Sequence, residues 1–553
     1  MNRGGSGISW KHTTSGHDYK QPDVQASASG RGQYRHGTVR KVNVPPSYIK
    51  KRNKGHPASD ACSANHPQGH SIKPVHGFNA LVTQEKMAWL VSVSVRHGDH
   101  YKGIEHSNFA CSIKGYASGS KRPLNLREQG QLIPLLHNFK VTPGWIWRSL
   151  TTTVHSFTKA GVFTPHKDMK ERHKEAQAAL LSTLLDAVIV KLGARDDIDA
   201  QGTANLLWAL AKLVNNGLGL EKTPKLKESV TALLPHVKIK AELKEEKDPF
   251  IPQHIAILLR ALAKLVDNGL KLEQTPKLKE TAVALLPHVK TNADSKKEHF
   301  NTQSTANLLW ALAKLVDSGL KLEKTPKLKE AVAALLYQVT TKAKSKQKKD
   351  LFNPQEVANL LWALAKLVDN GLKLDKMPKL KEAVAALLPH VKTKAESKST
   401  EEKDHFKRQE VANLVWALAK QVDNGLKLDK MPKLKEAVAA LLPHVKTKAE
   451  SIEEKDCFKP QEVANLLWAL AKLVDNGLEL EKTADSKEAV AALLPHVKTK
   501  AESKEEKDHF KPQEVANLLW ALAKLVDNGL ELEKTAGSKE AVTALLSHVK
   551  TKA

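Results

Sequence analysis

One polar pair recurs along this chain at a spacing that puts both members on one helix face. An asparagine is followed seven residues later by a lysine at Asn307/Lys314, Asn359/Lys366, Asn413/Lys420, Asn465/Lys472 and Asn517/Lys524. Seven residues is close to two helical turns, so each pair lies along one edge of a helix. An amide carries both donors and an acceptor, which is what the backbone of an extended peptide asks of a groove. A column of such amides, with lysines beside it, is therefore a candidate protein-binding groove. The plainer reading is that each asparagine satisfies a carbonyl in a neighbouring loop, as most buried amides do.

Two more columns run in register. A tryptophan stands three residues after the asparagine at Trp208, Trp310, Trp362, Trp416, Trp468 and Trp520, with Arg260 in the second copy. Aromatic ladders can stack bases. Here the flanking residues are alanines and the recurrence is periodic, so the ladder is read as structural core between repeats. Histidines recur at His236, His288, His390, His444, His496 and His548. A metal needs several ligands converging within a few ångströms. These histidines are at least one repeat apart with no second ligand at fixed spacing, so no metal site is expected. Cys62, Cys111 and Cys457 have no metal or disulfide spacing. There is no Gly-rich phosphate loop, nucleophile elbow, H-E-x-x-H or kinase set. No catalytic residue, cofactor or small-molecule substrate is indicated, and the chain is read as a non-enzyme.

The elements that carry these columns follow from the period. Seven positions, the six tryptophans and Arg260, are separated by 52, 50, 52, 54, 52 and 52 residues. A fixed period of this size means stacked supersecondary units. In the copy that begins at Phe352, Asn353 is a good N-cap, Pro354 suits the first helical position and Glu356 the third, while Phe352 and Val357 can staple the start. Val357, Leu360, Leu361, Leu364, Leu367 and Val368 form a broad apolar stripe that stops at Asn370-Gly371. A second helix is predicted from Pro378, with Leu380, Val384, Leu387 and Leu388 as its stripe. Pro389 should kink or end it. The lysine- and glutamate-rich stretch after it is read as a charged extension of that helix or a solvated connector. Trp362 lies off the main stripe beside Ala358 and Ala365, so the first helix is apolar on more than one side. A helix squeezed between neighbours reads this way, and the fold class expected is all-α: an α-solenoid of about seven helix-pair repeats.

Residues 166–553 are assigned to this solenoid, with 166–194 an incomplete leading unit because Lys174–Leu181 echoes the later second helices. Residues 121–165 hold an apolar patch, Leu132–Leu136, with Trp145 and Trp147, and receive no fold. Residues 1–120 are rich in Gly, Ser, His and Lys and contain only 6 acids; they are read as a largely disordered basic region. The chain of 553 residues carries a net charge of +27, which favours nucleic acid, anionic membranes or acidic proteins without choosing among them. No apolar run reaches the roughly 20 residues that span a bilayer, the longest candidate, 178–192, being broken by Asp186 and Lys191.

The string Asn-Leu-Leu-Trp-Ala-Leu-Ala-Lys-Leu-Val-Asp-Asn-Gly-Leu at Asn359–Leu372 and Asn517–Leu530 resembles the SKWP repeat of type III secreted effectors from plant-pathogenic bacteria, which is similar to HEAT and armadillo repeats. The resemblance covers roughly 170–553. It implies delivery into a plant cell, with residues 1–120 as the export region, and a virulence role through a host protein bound along the concave face, in host cytoplasm or nucleus. The copies here are spaced more widely and are fewer than in that family. A weaker resemblance, through Leu-Trp-Ala-Leu-Ala helices, is to organellar RNA-binding repeat proteins, with the basic front end as a transit peptide. A one-base-per-repeat reader should vary at its reading positions, and these copies hardly vary. A host protein is the expected partner and RNA the alternative.

Overall fold

The computed structural model describes residues 77–552 apart from 137, 142–143, 195–197, 244–248, 296–299, 323, 348–350, 373–376, 398–404, 429, 452–457, 479–483, 504, 506–508, 530, 532–534 and 536. The proposed export region through residue 76, Cys62 and Cys457 lie outside the described residues. The described chain is all-α. Five helices lead: α1 (Gly77–His97), α2 (Gly103–Gly119), α3 (Leu126–Leu136), α4 (Trp147–Ala160) and α5 (Glu171–Ala194). Seven pairs follow, α6 (Ala200–Asn215) with α7 (Pro224–Glu242), α8 (Pro252–Asp267) with α9 (Pro276–Asp294), α10 (Thr302–Asp317) with α11 (Pro326–Lys344), and α12 (Pro354–Asp369) with α13 (Pro378–Ala395). The last three are α14 (Arg408–Asp423) with α15 (Pro432–Ala449), α16 (Pro460–Asp475) with α17 (Ala484–Ala501), and α18 (Pro512–Asp527) with α19 (Ser538–Lys552).

The helices form two parallel rows. Even-numbered helices stack on even-numbered ones and odd on odd, with each pair also joined across the rows. Contacts are denser along the even-numbered row, although its repeat helices are the shorter ones in all but the last pair. One continuous apolar core runs through the whole array.

The local signals act as the sequence predicts. Asn353 Oδ1 accepts from the Glu356 N–H at 2.8 Å, and Glu356 Oε2 accepts from the Asn353 N–H at 3.0 Å. Phe352 and Val357 are buried beside that start. At the other end Gly371 takes φ 101°, and the N–H groups of Gly371 and Leu372 bond back to Val368 and Leu367. That is a Schellman ending, which needs a residue without Cβ at the left-handed position.

Three expectations are corrected. Pro389 does not end its helix, since α13 runs on to Ala395. The proline lies on the exposed face, where water can take the carbonyl it leaves unbonded one turn back. The solenoid starts before residue 166: α2 and α4 continue the even row, and α1 and α3 the odd one. Residues 77–119, expected to lack regular structure, form α1 and α2, and 121–165, left without a fold, contain α3 and α4. These helices carry no copy of the repeat sequence. They pack instead on an aromatic cluster in which Phe139 lies 5.2 Å from Phe157 and 4.1 Å from His106, ring centre to ring centre. Finally, α5 is long and apolar enough to cross a membrane by length and composition. Its Leu180, Leu181, Leu184, Leu185, Val188 and Leu192 are buried within the stack, as in a core helix.

Candidate functional site

The asparagines, lysines and tryptophans all lie on the even row. They do not form a set of open groups. Each lysine reaches back to an aspartate at the end of the preceding even helix: Lys314 to Asp267 at 2.8 Å, Lys366 to Asp317 at 3.1 Å, Lys420 to Asp369 at 3.1 Å, Lys472 to Asp423 at 2.9 Å and Lys524 to Asp475 at 3.5 Å. The same ammonium sits over the tryptophan of the following repeat. Lys314 Nζ is 5.0 Å from the centre of Trp362, Lys366 5.4 Å from Trp416, Lys420 4.8 Å from Trp468 and Lys472 4.7 Å from Trp520. One side chain thus joins three successive repeats through an ion pair and a cation–π contact. The lysines proposed as groove residues are structural links, so the paired Asn/Lys groove is corrected to its asparagine half.

Burial grades along the stack. The side chains of Lys314 and Lys366 are only 3 % and 2 % exposed, and that of Lys524 is 36 %. Trp310, Trp362 and Trp416 are buried, while Trp208, Trp468 and Trp520 are half-buried against the core. Neighbouring rings lie 6.5 Å apart for both Trp310–Trp362 and Trp468–Trp520. The tryptophan ladder is core, as its alanine flank implies.

The second copy departs at both ends of this scheme. Asn215 stands where later repeats have aspartate, so Lys264 has no acid behind it and turns to Asp267 in its own helix at 3.6 Å, an acid it shares with Lys314. Burial pushes the Lys264 ammonium down to about 8, only partly offset by Asp267. Arg260 occupies the tryptophan position beside it.

The asparagines split into two groups. Asn307, Asn359 and Asn517 are half-buried on the even row and reach solvent. Asn413 and Asn465 are buried, and Asn413 Oδ1 and Asn465 Nδ2 have no hydrogen-bond partner among the described residues. The loop-carbonyl reading therefore fails at Asn465, whose amide nitrogen donates to no carbonyl among the described residues.

Two ladders on the odd row take their roles only from the tertiary structure. His288, His390, His444 and His496 each place Nε2 within 2.6–2.8 Å of an alanine carbonyl near the C-terminal end of the preceding odd helix. Gln338 replaces the histidine in one copy and donates to the Ala293 carbonyl at 2.9 Å, preserving the link. The histidine column is a helix-end cap, satisfying carbonyls that the helix itself cannot. Outside it runs a chain of Lys–Glu pairs between successive odd helices, such as Lys238–Glu280 at 2.9 Å and Lys446–Glu488 at 2.8 Å. The signal for both was present in the sequence as fixed spacing. What was missing was which turn of one repeat faces which turn of the next.

The class defined by this architecture is the helical-repeat solenoid. Residues 289–309, 350–361, 455–467 and 508–519 match the family described as "Protein of unknown function (DUF1601)", each match reaching into the start of an even-row helix. No curated protein matches the sequence. Three solved structures are similar to this chain over most of their length. A circular tandem repeat protein with a novel repeat topology is 11 % identical over 85 % of this chain and 95 % of that one, with a TM-score of 0.22. The SYS-1/POP-1 complex is 11 % identical over 84 % and 99 %, with a TM-score of 0.17. A homology model of the AP-3 complex is 13 % identical over 86 % and 92 %, also at 0.17. Superpositions this loose carry no argument about function.

Proposed function

We propose that this chain is a non-enzymatic scaffold that binds a partner protein, with the asparagines of the even row as hydrogen-bonding points for the partner's backbone. The observation that carries this reading is the internal pairing of the lysine column. With Lys314, Lys366, Lys420, Lys472 and Lys524 neutralised by aspartates of the chain itself, the part of the recurrent Asn/Lys column left for a partner is its amides. Amides suit a peptide backbone better than a row of phosphates, whose binding requires cations. The net charge of +27 is what supports RNA as the second reading, the organellar RNA-binding solenoid.

The repeat string at Asn359–Leu372 supports a finer proposal: a type III effector of a plant-pathogenic bacterium, secreted into the host cell, with virulence exerted through a host protein in cytoplasm or nucleus. The test is capture of partners from plant extract by the full chain, with and without ribonuclease. A parallel bait changes Asn307, Asn359 and Asn517 to alanine and leaves the lysines in place, because their loss would unpair aspartates. A discrete protein that survives ribonuclease and is lost with the triple variant is expected. Recovery of RNA, or of proteins lost on ribonuclease treatment, would overturn the protein-scaffold reading.

A further inference from the structure

One odd-row helix departs from its sisters at several positions that meet at one place. In α11, Tyr337 stands where Pro235, Pro287, Pro389, Pro443 and Pro495 stand in five other copies. Thr340 replaces the lysine found at Lys238, Lys290, Lys392, Lys446, Lys498 and Lys550. Lys344 replaces an acid, present as Glu242, Asp294, Glu396, Glu450 and Glu502. All three substituted residues line a single solvent-facing cavity of about 480 Å³ between α11 and α13, with Lys379, Glu382 and Thr341. A fourth departure, Gln338, keeps the structural link of the histidine it replaces.

The cavity follows from the exchanges. The shorter threonine vacates the space a lysine fills elsewhere, and its hydroxyl turns inward to the Leu336 carbonyl at 3.0 Å. Lys344, one turn on, takes over the pair with the next odd helix, meeting Glu382 at 2.7 Å. Tyr337 forms an aromatic wall, 60 % exposed, with Lys379 Nζ 5.8 Å from its ring centre. In the sequence, 342–349 hold five lysines and no acid, whereas the corresponding 394–401 and 500–507 mix both signs.

We propose that this cavity is a docking site for a short acidic segment of a partner protein, its carboxylates meeting Lys344 and Lys379 and an apolar side chain resting on Tyr337. An exposed tyrosine beside a basic pocket supplies contact area at small entropic cost. The Lys344–Glu382 pair is no obstacle, because both side chains are more than half exposed and such pairs contribute little. The ligand is short because the positive region is short. The helices on either side return to paired charges, Lys290–Glu330 before and Lys392–Glu436 after. A long polyanion would gain from one repeat only, and one aromatic ring gives no stacking track. The site is separate from the asparagine face and depends on the scaffold reading only in taking its acidic segment from a protein.

The test uses the full chain and a short fluorescein-labelled peptide of aspartate and glutamate with one central leucine. Its Gln/Asn counterpart and an oligouridylate of equal charge serve as comparison probes. Tyr337→Pro restores what five sister helices carry and Lys344→Glu what four carry, so both variants should fold, which circular dichroism checks. The expected result is saturable binding of the acidic peptide, at least about tenfold weaker in either variant and weak for both comparison probes. Absence of peptide binding, equal binding of the neutral peptide, or binding unchanged in both variants would overturn the site. Tighter binding of the oligouridylate, lost in the variants, would replace the acidic peptide with nucleic acid. Partner capture that persists in the asparagine variant would count against the asparagine-face reading and leave this site standing.

Discussion

Lys366 Nζ lies 3.1 Å from Asp317 Oδ1 of the repeat before it and 5.4 Å from the ring centre of Trp416 in the repeat after it. Its side chain is 2 % exposed and that of Asp317 is 11 % exposed. Removing one partner of such a pair leaves a charge stranded in a poorly solvated place, whereas removing both can be close to neutral. Lys366→Ala should therefore destabilise the stack by about 3 kcal/mol, while Lys366→Met with Asp317→Asn should stay within about 1 kcal/mol of the parent. The equivalent Lys524→Ala, at 36 % exposure, should cost less than about 1 kcal/mol. Urea midpoints followed by circular dichroism would show this order. Equal losses at Lys366 and Lys524 would contradict the graded ladder.

Glu410 predicts an alkaline weakness. Its carboxylate accepts from the Lys407 N–H at 2.9 Å, and burial pushes it up to about 7. Glu462, one repeat on, faces Arg408 at 3.1 Å, whereas the residue corresponding to Arg408 ahead of Glu410 is Pro354. A carboxyl raised in the fold binds its proton more tightly when folded. Its stabilising protonated state is fully present below the unfolded value, and the stability is lost as pH rises from about 4.5 through about 7. Glu410→Gln should leave stability unchanged at pH 4 and raise it at pH 8 by about 3 kcal/mol, read as urea midpoints at the two pH values.

His106 predicts the opposite sign at the other end of the stack. It is buried among Tyr101, Phe139 and Trp145, both ring nitrogens lack a hydrogen bond among the described residues, and burial pushes it down to about 4. Protonation then favours the unfolded chain, so stability is lost as pH falls from about 6.5 through about 4. Hydrogen exchange in α2 and α4 should accelerate over that window, and His106→Phe should remove the acceleration. An unchanged pH profile in the variant would assign the effect to another group.

Gln421 interrupts a column of leucines, standing where Leu315, Leu367 and Leu473 stand in the neighbouring repeats. It is fully buried, and neither amide atom finds a partner among the described residues. An orphaned amide costs about 1–3 kcal/mol. Gln421→Leu should recover most of that as a higher urea midpoint. No gain would mean that the amide is satisfied in solution.

How much of this was legible beforehand differs by level. The helix pair was written out in local chemistry: Asn353, Glu356 and Gly371 do within one turn what their residue types favour, independent of what packs on them. The tryptophan column was legible because the alanines beside it and its periodic recurrence favoured packing between repeats over base stacking. The lysine column was misread. From spacing alone, Lys366 and Asn359 share a face, and nothing in the sequence says that Asp317, 49 residues earlier, arrives at that face to take the charge. Of the two outcomes the sequence left open at Pro389, a kink or an end, packing excludes the end, because a proline's cost depends on whether water reaches the freed carbonyl.

The sequence by itself determined the repeat, its two helices, their caps and the all-α class, since each rests on interactions within a few residues or on a period that repeats them. The tertiary structure alone decided how successive units face one another. The stagger of neighbouring helices chooses which lysine meets which aspartate, which histidine caps which carbonyl, and where three substitutions in α11 open one cavity. It also carried the stack back into α1–α4, where aromatic packing rather than the repeat sequence supplies the buried surface.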